Sequence, residues 1–501
     1  MDLFHNLAIG FGVAFTPINL AYCLLGTVLG TLVGVLPGLG PAATIAMLLP
    51  STFTLGPEAA LIMLAGIYYG AQYGGSTTAI LVNLPGESSS VVTCLDGYQM
   101  ALQGRAGQAL ATAALGSFFA GCVATVLIAL FAPALSAAAL RFGPAEYFSL
   151  ILVGLIAAVV LANGDVLKAV AMVALGLLLG IVGADMSGST KRFTFGVPEL
   201  ADGLGFVAVA MGVFGLGDIL ASLQQPGGRQ TVDRTRIQRL WLDRADLRRI
   251  VAPVLRGTAL GSLLGVLPGG GALLASFSAY SLEKKLAKEP GRFGKGAIEG
   301  VAAPESANNA GAQTSFIPLL TLGIPSNAVM ALMVGALMVQ GVAPGPQLIT
   351  ERPTLFWGVI ASMWIGNAML VVLNLPLIGI WIRLLSAPYR LLFPAIVLVC
   401  CLGAYSLNNS SFDILVVAAF GLMGYLFYVF DCEPAPFLLG FILGPMFEEY
   451  LRRAMLIAQG DPMEIVARPI SLAFLLVAAG LLLMLLMPAF RKVRGVAFQE
   501  S

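Results

Sequence analysis

Apolar residues run through this chain in blocks too long for the core of a soluble domain, parted by a few short polar or Pro/Gly-rich interruptions. Runs at 108–140, 146–161, 166–182 and 204–220 predict helices, as do 355–385, 391–402, 414–430, a segment opening at Glu433 and Pro434, and 470–486. Since about 20 apolar residues span a bilayer core as a helix, the chain has room for about 12 transmembrane segments.

Two interruptions are copies of one phrase, GVLPGLG at 34–40 and GVLPGGG at 265–271. Residues 26–40 and 257–271, offset by 231, agree at 11 of 15 positions. Proline lacks a backbone donor and glycine weakens a helix, so L-P-G-x-G breaks the helix and leaves amides and carbonyls unpaired. In lipid such backbone has to face protein or a cavity. Pro37, Gly38, Gly40, Pro268, Gly269 and Gly271 therefore offer backbone groups and close approach to a ligand. A second pair of interruptions follows. A helix at 59–73 runs into GGSTTAILVNLPGESSS at 74–90, and the later half carries APESANNAGAQTSFIPLLTLGIPSNA at 303–328. Placing Gly75 on Gly311 gives an offset of 236, with Pro85 meeting Pro325 across a few inserted residues. Each half thus predicts a hairpin tip followed by a discontinuous helix.

Charge sets the expected topology. The first basic residue is Arg105, whereas the second phrase is flanked by Arg229, Arg234, Arg236, Arg239, Arg244, Arg248 and Arg249 upstream and by Lys284, Lys285, Lys288, Arg292 and Lys295 downstream. Basic loops stay in the cytoplasm, so the segment between them enters and leaves on one side. Its second arm, 271–283, covers about 20 Å of a core about 30 Å thick, which predicts a re-entrant hairpin. The first copy, without basic flanks, opens to the opposite side. The expected fold is an all-α polytopic membrane protein in two repeats, 1–224 and, with a C-terminal span, 250–501, joined by an Arg-rich cytoplasmic linker at 225–249; the charge bias favours inverted repeats over the alternative, a parallel duplication with two kinked helices. Inverted repeats with broken helices place a transport site near the midplane.

Composition narrows the chemistry. Of 501 residues 58% are hydrophobic and 11% charged, and mean hydropathy is +0.91, far from a soluble domain. A net charge of +1 excludes a nucleic-acid partner. One histidine, His5, supplies no zinc cluster, and no Walker A loop is present. Six cysteines without C-x-x-C spacing read as small buried side chains. No basic residue precedes the first apolar run, so no cleavable signal is expected. Asp165, Asp185, Asp218 and Asp413, at the edges of runs, read as solvated caps. What remains is the oxygen- and amide-bearing set at the breaks. The expected substrate group is Gly38, Gly40, Ser76, Thr77, Pro85, Ser88, Gly269, Gly271, Asn309, Thr314, Pro325, Ser326 and Asn327. The expected cation group is Pro37, Asn83, Pro268, Glu305 and Asn308, taking Na+ rather than a transition metal. Exposed helix amides suit an anion, and carbonyls and hydroxyls suit a bare cation. A channel, or a receptor that transports nothing, are the competing readings; no enzyme chemistry and no organic cofactor is implied.

Beyond these residues, the two phrases, LVNLPGESSSVVTCLDGYQMALQGRAGQAL at 81–110, KRFTFG at 191–196, and APESANNA followed by IPLLTLGIPS resemble the large membrane subunit of the tripartite tricarboxylate transporters, the TctA family. The resemblance covers nearly the whole chain. It implies a multi-pass permease of the bacterial inner membrane, driven by co-transported Na+ or H+, that works with a small four-helix membrane subunit. A periplasmic solute-binding protein would deliver a di- or tricarboxylate such as citrate. Glu87 departs from a common family wording that has a smaller residue there. An acid beside an anion repels it unless it faces the cation or a water-filled vestibule, so Glu87 is not carried over as a substrate ligand.

Overall fold

A computed structural model describes residues 3–36, 40–162, 165–184, 190–224, 241–267, 271–384, 394, 397, 398, 400–405 and 409–486. Pro37, Gly38, Pro268 and Gly269 of the two phrases, Asp185, Arg229, Arg234, Arg236 and Arg239 of the linker, and half of the run at 391–402 lie outside the described residues. Within them the chain is helical apart from one two-residue antiparallel pair, β1 (Gly183–Ala184) and β2 (Lys191–Arg192).

The first half opens with α1 (Leu3–Ala14), α2 (Pro17–Val35), α3 (Pro41–Leu48) and α4 (Pro57–Val82). Proline starts α2, α3 and α4, where its missing N–H costs nothing. Helices α2 and α4 run parallel and touch backbone to backbone. A Cβ added at Gly26, Gly30 or Gly34 would overlap the carbonyl oxygen of Met63, Ile67 or Ala71 in turn. Glycine every fourth residue is what lets apolar helices approach this closely. Because α2 and α4 share a direction, α3 runs back between them.

After α5 (Ala106–Ala139), α6 (Pro144–Leu161), α7 (Val166–Gly180) and α8 (Phe206–Ala221), the same arrangement recurs. It consists of α9 (Arg244–Gly265), α10 (Gly271–Leu286) and α11 (Glu299–Thr314). Gly257, Gly261 and Gly265 press on the carbonyls of Ala303, Ala307 and Gly311, so α9 and α11 are parallel and α10 returns between them. Arg256 of α9 pairs with Glu283 of α10 through two hydrogen bonds of 2.6 and 2.7 Å, closing the open end of that hairpin. The chain continues through α12 (Phe316–Leu322), α13 (Ala328–Val339), α14 (Pro353–Asn374), α15 (Ile378–Leu384), α16 (Ser411–Val429), α17 (Pro434–Ile457) and α18 (Pro469–Leu486).

Three sequence expectations change. Gly74 to Thr78 do not interrupt the helix: α4 continues to Val82, because Gly74 and Gly75 lie against α2 and Glu87, where a larger residue would clash. Likewise Ala303 to Thr314 are helical despite Pro304, and the break comes later, at Gly323. The run at 355–385 is two helices, since the chain turns after Asn374 and Trp381 donates back to the Leu373 carbonyl at 2.8 Å.

The polar helices are innermost. Every residue from Ala59 to Ile80 in α4 and from Gly300 to Thr314 in α11 is buried. Around them stand apolar helices whose outer faces expose Phe131, Leu422 and Leu483, an inversion of water-soluble design that suits lipid. Among the described residues five helices, α2, α5, α6, α14 and α16, are long and apolar enough to cross a bilayer.

A cavity of helix N-termini and a buried carboxylate

Both helix breaks are built alike. Helix α4 ends on Asn83 in the left-handed region (φ 56°), and α12 ends on Gly323 (φ 72°). Pro85 and Pro325 follow two residues later, and each next helical segment opens on an extended N-cap, Glu87 (φ −150°) or Asn327 (φ −156°). All three pairs are separated by 240 residues, as are the carbonyls of Met63, Ile67 and Ala71 from those of Ala303, Ala307 and Gly311. This register has no insertion. The offset of 236 came from matching Gly75 to Gly311, whereas in space Ala71 is the residue that corresponds to Gly311.

Across the halves α4 runs antiparallel to α11 and α12: Ser76 meets Glu305, while Tyr68, two turns earlier, meets Asn327 and Phe316. Asn308 donates to Glu87 Oε1 at 3.2 Å and Asn327 donates to Tyr68 Oη at 3.5 Å. Adding 240 to Tyr68 gives Asn308, and subtracting it from Asn327 gives Glu87. The two contacts are therefore counterparts under exchange of the halves.

Between them lies a cavity of about 740 Å³. Its wall takes Gly40 to Ala43 and Gly271 to Leu273 from beside the two tips, Pro85 to Ser89 and Asn327 to Val329 from the breaks, and Tyr68 and Gln72 from α4. Asp218, Tyr428 and Glu433 complete its polar lining. Helices α3, α10 and α13 all begin there and bring three N-termini to one space, the general anion-binding property of helix N-termini, although Pro41 in α3 and the Asn327 cap on Met330 N each remove a donor. Helix α17 also begins there, but Pro434 and Pro436 leave it fewer donors. Among the described residues of the wall there is no lysine, arginine or histidine.

A second polar centre lies behind this wall. Glu305 is fully buried in α11, and its carboxylate accepts hydrogen bonds from the hydroxyls of Ser76 and Thr93. Asn309 donates to Ser117 Oγ at 2.7 Å and to the Glu305 carbonyl at 3.1 Å. Ser89 donates to Asn308 Oδ1 at 2.7 Å and also contacts Glu87, which joins the carboxylate centre to the cavity wall through one helix turn.

The residues singled out by sequence thus separate into groups. Gly40, Gly271, Pro85, Ser88 and Asn327 line the cavity. Ser76, Asn309 and Glu305 meet behind it, and Asn308 bridges to Glu87. Thr77 and Thr314 donate to their own helices, at the carbonyls of Tyr73 and Ala310. Ser326 reaches the Ser315 carbonyl at 3.4 Å and Pro325 is buried beside it, both off the cavity wall. Asn83 is exposed and serves as the left-handed end of α4. Sequence reasoning passed over Tyr68, Gln72 and Thr93, and read Asp218 as a solvated cap. Thr93 sits in an otherwise apolar VVTCL stretch, and a lone hydroxyl there was the available signal. Asp165 does cap, accepting from Leu167 N at 2.7 Å.

A protein of Agrobacterium vitis described as "Uncharacterized 52.8 kDa protein in TAR-I ttuC' 3'region" is 60% identical over 501 residues, all of both chains. A second from the same organism, "Uncharacterized protein in TAR-II ttuC' 3'region", is 59% identical over 241 residues, 48% of this chain and all of that protein. No solved structure matches. The tripartite tricarboxylate transporter TctA family matches residues 20–439, and the chain belongs to that family.

Proposed function

We propose that this protein is the large permease subunit of a tripartite uptake system, moving a di- or tricarboxylate through the 740 Å³ cavity together with Na+ or H+. The observation that carries the reading is the wall's imbalance: several helix N-termini and the half-buried acids Glu87 and Asp218, with no basic side chain described there. One helix N-terminus stabilises an anion by about 0.3–1 kcal/mol, up to about 2 in partly buried geometry. One like-charge pair at 4 Å costs about 4 kcal/mol at an effective dielectric constant of 20. The amides select an anion but do not outweigh even two ionised acids. Cations carried with the substrate, or protons on the acids, remove that deficit, and this gives coupling a physical cause.

In this reading the two arrangements α2–α4 and α9–α11 are inverted repeats. Each enters the membrane as a re-entrant hairpin from its own side, within about 12 membrane segments. The parallel glycine contacts within each half, the antiparallel course of α4 against α11, and the counterpart contacts Glu87–Asn308 and Tyr68–Asn327 support it. Family membership supports a small four-helix membrane subunit and a periplasmic solute-binding protein as partners and the bacterial inner membrane as the location. The test is uptake of labelled carboxylates by vesicles holding all three components, with sodium and pH gradients imposed separately. Accumulation against a gradient is expected under one of them; uptake indifferent to both removes the coupling.

A further inference from the structure

Beside Ser76 and Ser117, both hydrogen-bonded to Glu305, is a small space of about 10 Å³ between α4, α5 and α14. That is room for about one water-sized particle. Its polar wall is Tyr73, Ser76 and Thr77 from α4, Ser117 from α5 and Asn374 from α14. Two of these groups have no partner: Tyr73 Oη and Asn374 Oδ1, on residues that are each 3% exposed. An unpaired buried polar atom costs about 1–3 kcal/mol, so two on residues lining one small space call for an occupant.

The hydrogens around that space point elsewhere. Ser76 donates to Glu305, Thr77 to the Tyr73 carbonyl at 3.4 Å, Ser117 to the Glu305 carbonyl at 3.5 Å, and the Asn374 amide to the Leu370 carbonyl at 3.0 Å. What these bonds leave over is oxygen lone pairs and a single phenol, one Ser117 lone pair being taken by Asn309. An all-oxygen set suits a hard cation and gives no purchase to an anion. Only one carboxylate, Glu305, is in contact with the set, through Ser76. One negative charge neutralises a monovalent ion and leaves a divalent one half compensated.

We propose that this chamber holds one dehydrated monovalent cation of sodium's size, coordinated by Tyr73, Ser76, Thr77, Ser117 and Asn374 with Glu305 as its counter-charge. The proposal deepens the cation-coupled reading and rests on it only for its role in transport, because the ion's binding is measurable without any carboxylate. The full-length protein, purified free of substrate, is titrated with NaCl against N-methylglucamine chloride at equal ionic strength while thermal unfolding is followed. KCl and CaCl2 serve as parallel probes. Sodium is expected to raise the unfolding temperature saturably and more than potassium or calcium. Tyr73→Phe and Ser117→Ala, which preserve packing, are each expected to raise the half-saturating sodium concentration about tenfold; Asn374→Leu is a third variant. A sodium response absent from the wild type, or equal in wild type and variants, overturns the site. If the variants shift sodium binding while carboxylate uptake ignores sodium, the site stands and sodium coupling falls. If uptake is sodium-driven and the variants bind sodium as the wild type does, the site falls and the coupling stands.

Discussion

The helices on either side of the first tip and those on either side of the second share a scaffold and differ in chemistry. Both place glycines, at offset 231, on carbonyls at offset 240, and both end a helix in a left-handed residue before a proline. In the first half, however, α4 answers the glycines of α2 with Gly66, Gly70 and Gly74, whereas the matching positions of α11 are Ser306, Ala310 and Thr314. The first N-cap is an acid and the second an amide. Backbone contact fixes the frame and tolerates only small residues; the side chains facing the other half are free to diverge, and that is where polar function concentrates.

The largest expected effect breaks the shared frame. Gly30→Val and Gly261→Val each drive a side chain into a carbonyl, and overpacking of this kind costs about 1–3 kcal/mol or more. Both variants should lose most of their folded yield by fluorescence-detected gel filtration, while Gly12→Ala, with nothing within 4 Å, should match the wild type. Loss in one half alone would end the equivalence. Next comes the helix end at Gly323, where Gly323→Ala forces a Cβ into the left-handed region and within 2.7 Å of the Pro344 carbonyl oxygen, for about 1–2 kcal/mol. Its counterpart Asn83 already tolerates that region, so Asn83→Gly should change the unfolding temperature by the equivalent of a few tenths of a kcal/mol.

The caps sharpen the difference between halves. Asn327→Ala removes the acceptor for Met330 N, a bond of 2.9 Å, and should cost about 1 kcal/mol of stability. Glu87→Gln keeps an acceptor for Asn308, so stability should hold, but removes a charge from the cavity wall, so the dependence of vesicle uptake on the driving cation gradient should fall about tenfold, the equivalent of about 1.4 kcal/mol. Equal behaviour of the two variants in both assays would mean that the caps are interchangeable.

Much of this was legible in the sequence because it rests on residue types with strong local consequences. Proline and glycine announced that helices stop at Val35 and Gly265 and resume at Pro41 and Gly271, and the apolar runs announced α5, α6 and α16 to within a few residues. The polar sets at 74–90 and 303–328 do come together. Their internal division was not legible, since it depends on which side of a buried helix each residue occupies. Gln72 and Tyr73, adjacent on α4, line the large cavity and the small space beside Glu305 respectively. Nor does sequence reveal that Gly74 and Gly75 stay helical, because Gly74 packs on the backbone of α2, about 40 residues earlier, and Gly75 on Glu87, 12 residues later. Thr93 and Asn374 acquire meaning only through partners more than 200 residues away.

The counterpart contacts Glu87–Asn308 and Tyr68–Asn327 carry one more consequence. If each half can adopt the shape of the other, the outward- and inward-facing states are the same structure with the halves relabelled, and identical clasps would leave them equally populated. These clasps are unlike, an acid held by an amide on one side and a phenol on the other. A difference of about 1.4 kcal/mol between them already sets a tenfold resting preference. The protein's default orientation is then written in two side-chain pairs, and a cation or substrate that alters the charge at Glu87 resets it.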